Sequence, residues 1–71
     1  MLKPNGERLK LEMARSCLTA KELAEKSGVS VGVIYRMQKG YLIRPVCLGK
    51  VAKALAIDAE ALVAKESGGW K

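Results

Sequence analysis

The chain has no histidine and no phenylalanine, and its 71 residues include only three aromatics, Tyr35, Tyr41 and Trp70. Lack of histidine removes general-base triads and nearly all zinc-enzyme ligand sets. Ser, Cys and Lys are present, but no base, metal set or phosphate loop accompanies them, so neither an enzyme nor a bound cofactor is expected. With so few rings the core has to be aliphatic, made of Leu, Val, Ile, Met and Ala. Cysteine is sparse as well. Cys17 and Cys47 make no CxxC pair; a bridge between them is open, but buried free thiols in a reducing cytosol suit the wide spacing better. No apolar run approaches the roughly 20 residues of a membrane span. The N-terminal MLKPNGER lacks the apolar stretch of a signal peptide. A soluble cytoplasmic protein with no membrane partner is expected. A chain this short buries only roughly 60% of its unfolded surface, which bounds it to one small domain.

Acid is also missing, but only from part of the chain. The formal net charge is +6, from 13 Lys+Arg against 7 Asp+Glu. Up to Glu25 the two signs mix. From Lys26 to Ile57 there is no acid at all, while Lys26, Arg36, Lys39, Arg44, Lys50 and Lys53 supply six positive charges. Beyond Ile57 the signs roughly balance again. A segregated basic segment of this kind suits a face that binds a polyanion.

What is present reads as five helical segments with short joints. The first covers about Gly6 to Cys17, with Leu9, Met13 and Cys17 on one face. The second starts at Thr19, with Glu22 placed for a capping box, and stops at Gly28. The third starts at Ser30 and stops at Gly40. It buries Ile34 and Met37 with Val33 and leaves Val31, Gly32, Tyr35, Arg36 and Lys39 on the other side. Its own propensity is poor, since Gly32 costs about 1 kcal/mol against Ala and its β-branched residues add to that. Pro45 suits the first turn of a fourth helix, in which Leu48, Val51, Ala52 and Leu55 repeat at i, i+3, i+4, i+7. Asp58 is placed to cap a short fifth helix carrying Ala61 and Leu62 inward. These segments predict a compact all-α domain over residues 1–66 and a flexible tail over 67–71, in which Trp70 either folds back or frays.

The most specific stretch is Thr19 to Gly40, two helices joined by a tight turn. Ala24 keeps the first helix small where the second crosses it, Gly28 permits a positive φ, and Val29, Ile34 and Met37 close the corner. This is the spacing of a DNA-binding helix-turn-helix. The phrases "CLTAKELAEKSGVS", "VIYRMQKG", Arg44–Pro45 and "LGKVAKALAIDAEAL" resemble the Cro/cI repressor family, also called the XRE family. The resemblance covers Leu9 to Leu62. It implies a lambda-repressor-like bundle of five helices and a sequence-specific transcriptional regulator, repression being its simplest mode. It further implies a homodimer on double-stranded DNA with the third helix, about 31–39, in the major groove. The chain departs from the family pattern at Ala20, where members commonly carry Gln, and at Val31 and Gly32, where base-reading members often carry polar residues.

Residue by residue, the base-contacting candidates are Val31, Gly32, Tyr35 and Arg36. Val31 offers an apolar contact such as a thymine methyl, Gly32 a close backbone approach, and Arg36 a bidentate contact to guanine or, alternatively, a phosphate contact. Thr19, Lys21, Ser30, Lys39 and Arg44 are the phosphate-contacting candidates. Leu42, Ile43 and Val46 make an apolar patch where the chain should be wet; they either cover the core or meet another chain. That patch keeps open a protein-interaction module on the same scaffold, such as an antitoxin or anti-repressor subunit.

Overall fold

Each α-helix begins where the sequence supplies a cap or a proline. In the computed structural model, which describes residues 1–64, α1 (Gly6–Arg15) opens on Asn5, whose side-chain oxygen accepts from the Arg8 N–H at 3.1 Å. Thr19 opens α2 (Ala20–Ser27) and Ser30 opens α3 (Val31–Gln38). Pro45 starts α4 (Pro45–Ala54), behind an Arg44 that makes no side-chain cap. A single 3-10 helix, Ala59–Leu62, closes the described chain. The result is a compact all-helical globule with no strand among the described residues. Lys65, Glu66, the tail expected over 67–71 and Trp70 lie outside the described residues.

Three of the helices end alike. The chain passes through a left-handed residue, Cys17 (φ 56°), Gly40 (φ 83°) or Ala56 (φ 60°). The next N–H then reaches back five residues: Leu18 to the Met13 oxygen at 2.9 Å, Tyr41 to Arg36 at 3.0 Å and Ile57 to Ala52 at 3.0 Å. This is the Schellman closure, which satisfies the last carbonyls of a helix. Only the closure after α3 uses glycine; at Cys17 and Ala56 the left-handed turn costs about 1–2 kcal/mol.

These closures correct two expectations. The first helix stops at Arg15 and not at Cys17, and Cys17, expected in the core, is turned outward and exposed. Cys47 is half-buried, and the two thiols are not bridged. The fifth expected helix is one 3-10 turn, without a side-chain cap from Asp58. Only i→i+3 bonds form there, Ala61 to the Asp58 oxygen at 2.9 Å and Val63 to Glu60 at 3.3 Å, before Val63 becomes extended.

The core is aliphatic throughout. Leu9 and Met13 of α1, Leu23 of α2, Ile34 and Met37 of α3, Leu48 and Val51 of α4, and Leu55 all sit in it as the periodicity predicted, together with Ile43 and Leu62. Its one buried charged residue, Glu12, pairs with Arg8 at 2.8 Å. Two features outside the helical pattern complete the packing. First, the start of α1 lies directly on the end of α3: a Cβ on Gly6 would overlap the backbone carbonyl of Gln38. Beside it the Gln38 amide donates to the Met13 sulfur at 3.3 Å. Second, residues 1–5 form an extended strap between two distant segments. Leu2 exchanges backbone bonds with Ile43 at 2.8 and 2.9 Å. On the other edge the Asn5 N–H donates to the Leu62 oxygen at 2.6 Å, and the Ala64 N–H to Lys3 at 2.9 Å. Within the strap, Pro4 is fully buried.

Two substitutions test this account by urea denaturation. Gly6→Ala is expected to destabilise by about 1–3 kcal/mol, because the new methyl meets rigid backbone. Ala56→Gly is expected to stabilise by about 0.5–1 kcal/mol, the relief of the left-handed strain exceeding the added chain entropy. A Gly6→Ala chain as stable as the parent would mean that α1 is free to shift away from α3.

Candidate nucleic-acid interface

The corner between α2 and α3 is built by two caps and one glycine. At the start of α2 the Thr19 hydroxyl accepts from the Glu22 N–H at 3.1 Å, and the Glu22 carboxylate accepts from the Thr19 N–H at 2.9 Å. This is the reciprocal capping box that the sequence predicts. At the end of α2, Gly28 takes a left-handed conformation (φ 85°), and its N–H bonds back to Ala24 at 2.9 Å. The chain can then reverse within Gly28–Ser30. Ser30 caps α3, its hydroxyl accepting from Val33 at 3.4 Å. Val29 packs against the core, and Ile34 and Met37 seat α3 there.

That seating decides what α3 shows to solvent. Val31, Gly32, Tyr35, Arg36 and Lys39 are all exposed, the face expected from the sequence. The amides of Val31 and Gly32 have no hydrogen-bond partner among the described residues, which leaves the positive end of the helix open. Gly32 has only the Ser30 hydroxyl near the place of a Cβ, at 3.9 Å, so the helix surface there is bare backbone.

The phosphate candidates are exposed too: Thr19 and Lys21 at the start of α2, Ser30 at the start of α3, Lys39 capping its end and Arg44 before α4. Thr19 is partly committed, because its N–H already serves Glu22; its hydroxyl proton is the donor left to it. Among the described residues the ion pairs are Arg8–Glu12 and Arg15–Glu12, both on α1. Among the described residues no carboxylate lies within 4.0 Å of Lys21, Arg36, Lys39 or Arg44. The described residues therefore leave the charge of the acid-free segment without ion pairs in three dimensions.

Beside α3 lies a feature that no sequence pattern signalled. The structure brings Arg36 and Arg44 to one open cleft of about 380 Å³, lined also by Met1, Val33, Leu42, Ile43 and Cys47. Arg36 leans across it, with one guanidinium N–H 3.5 Å from the Leu42 carbonyl oxygen. Met1 reaches the cleft because the strap pairs Leu2 with Ile43, some forty residues away in the chain. The apolar patch expected at Leu42, Ile43 and Val46 divides between covering the core and staying exposed. Ile43 is 4% exposed and belongs to the core, its backbone held by the strap, whereas Leu42 and Val46 are 51% and 64% exposed.

Thr19→Ala is expected to lower stability by about 1 kcal/mol, since it breaks one half of the capping box and leaves an amide without its partner. Chemical denaturation measures this, and a loss below about 0.3 kcal/mol would show that the box holds little at this helix end. No protein-family model matches the chain, and no curated protein sequence does.

Proposed function

We propose that this chain is a sequence-specific DNA-binding transcriptional regulator of the Cro/cI kind, with a lambda-repressor-like fold and repression as its mode. The observation that carries this is the capped α2–turn–α3 corner, whose outer face holds Arg36, Lys39 and two unpaired amides, with no ion pair to either cation among the described residues. In this reading α3 enters the major groove. Arg36 reads a guanine through its paired N–H groups, while Val31 and the bare backbone at Gly32 take up the close approach. Lys21, Lys39 and Arg44, with the hydroxyls of Thr19 and Ser30, hold phosphates on either side. Two copies then read half-sites about one helical turn apart, near 34 Å.

Affinity is better provided for than specificity. Among the four groove-facing candidates only Tyr35 and Arg36 have side chains able to hydrogen-bond a base, and Arg36 has one donor turned toward Leu42. A second reading, an interaction module such as an antitoxin or anti-repressor subunit, draws on the exposed Met1, Leu42 and Val46.

Binding to random duplex DNA is expected to fall with salt at a log–log slope of about −4 to −5, as four to six phosphate contacts require. Absence of binding at low salt would defeat the proposal. Arg36→Ala is expected to relax sequence preference by about 1–3 kcal/mol at one base pair, whereas Lys39→Ala weakens all duplexes alike. Gly32→Ala separates fold from function. It should raise stability by up to about 1 kcal/mol and still weaken DNA binding, by blocking close backbone approach. Unchanged DNA affinity in that variant would remove Gly32 from the interface.

A further inference from the structure

The cleft beside α3 has two parts, and DNA would use only one of them. Its rim carries the guanidinium groups of Arg36 and Arg44. Its wall and floor are apolar, with Met1 69% and Leu42 51% exposed above the buried Ile43. A phosphate backbone satisfies the guanidinium groups but gives the methionine and leucine no apolar surface to cover. An apolar ligand does the reverse. We propose that this cleft is a docking site for a short segment of a partner protein that combines carboxylates with aliphatic side chains, and that this segment competes with DNA.

Charge and size both favour that occupant. The whole stretch from Lys26 to Ile57 has no carboxylate to repel an acidic segment. Arg44 has no ion-pair partner among the described residues, and Arg36 commits one N–H, at 3.5 Å, leaving its other donors for bidentate carboxylate contacts. About 380 Å³ lies near the small end of ligand pockets, which suits a few side chains of an extended or helical segment and not a globular surface. The cleft is also set in place from outside α3. Leu2 and Ile43 exchange their backbone bonds immediately beside it, so the strap holds Met1 against the loop. The competition rests on the DNA-binding proposal, because both occupants need Arg36 and Arg44; the docking itself does not.

The test uses the full chain and a fluorescein-labelled synthetic peptide of alternating Glu and Leu, followed by fluorescence anisotropy without DNA. Two control peptides of equal length are all Glu, and alternating Gln and Leu. The Glu–Leu peptide is expected to bind about tenfold more tightly than either control, a difference of about 1.4 kcal/mol. Amide NMR shifts should centre on Val33, Leu42 and Cys47. Leu42→Ser and Arg44→Gln, both at exposed positions, should each weaken the peptide about tenfold at unchanged thermal midpoint. Equal binding of the all-Glu peptide would overturn the proposal in favour of a plain cationic surface. Equal binding of the Gln–Leu peptide, shifts centred elsewhere, or no binding at low salt would overturn it too. So would a dimer in sedimentation that Leu42→Ser converts to monomer and that excludes the peptide, since a second copy then fills the cleft. Addition of duplex DNA should release the bound peptide. Peptide binding in a protein that binds no DNA would sink the DNA proposal and leave the docking site standing. Normal DNA binding without peptide binding would do the opposite.

Discussion

The weakest helix of the domain carries the surface proposed to read DNA, and the rest of the structure is arranged to hold that helix still. α3 has eight residues, one of them glycine and three β-branched, far short of the roughly 12–15 residues at which isolated helices become even marginal. It persists because Ile34 and Met37 are fully buried. α2 packs along it, Gly40 closes its last turn, and the start of α1 rests on the carbonyl of Gln38. The segment that follows α3 is tied down by the strap through Ile43. A short helix packed along its length and fixed at its C-terminal end by distant parts of the chain is a rigid platform, and rigidity is what the proposed bidentate contacts require.

Charge is partitioned along the same lines. The ion pairs among the described residues gather on α1, around the buried Glu12, and serve packing. The cations of α3 and α4 have no such partners among the described residues and are exposed. An unneutralised basic face costs some stability through self-repulsion, a cost that the proposed binding of a polyanion would offset. The exposed methionine and leucine beside Arg36 and Arg44 do not belong to that logic. They make the neighbouring cleft amphipathic, which is the basis of the proposed competition between nucleic acid and an acidic protein segment.

The α-helices were legible because local chemistry specified them. Asn5 was not read as a cap, but Thr19 with Glu22, Ser30 and Pro45 mark three starts, Gly28 and Gly40 mark two ends, and aliphatic spacing names nearly all of the core. The exposed face of α3 followed from the same spacing, because a helix that buries Ile34 and Met37 must turn Arg36 and Lys39 outward. The misreadings came where ending a helix depended on backbone geometry without a glycine, at Cys17, and where four residues closed only a 3-10 turn.

Sequence alone thus determined the helical class, the α2–turn–α3 corner and the basic, acid-free face, all of which depend on residues within a few turns of one another. Tertiary structure decided what depends on contacts between residues tens of positions apart. It paired Leu2 with Ile43 and Pro4 with Val63, removed Ile43 from the apolar surface patch, required glycine at residue 6, and brought Met1 beside Arg36 and Arg44 to form the cleft. An extended strap of five residues carries no periodicity of its own, and its backbone hydrogen bonds are indifferent to side-chain identity. Only the folded chain could show where they lead.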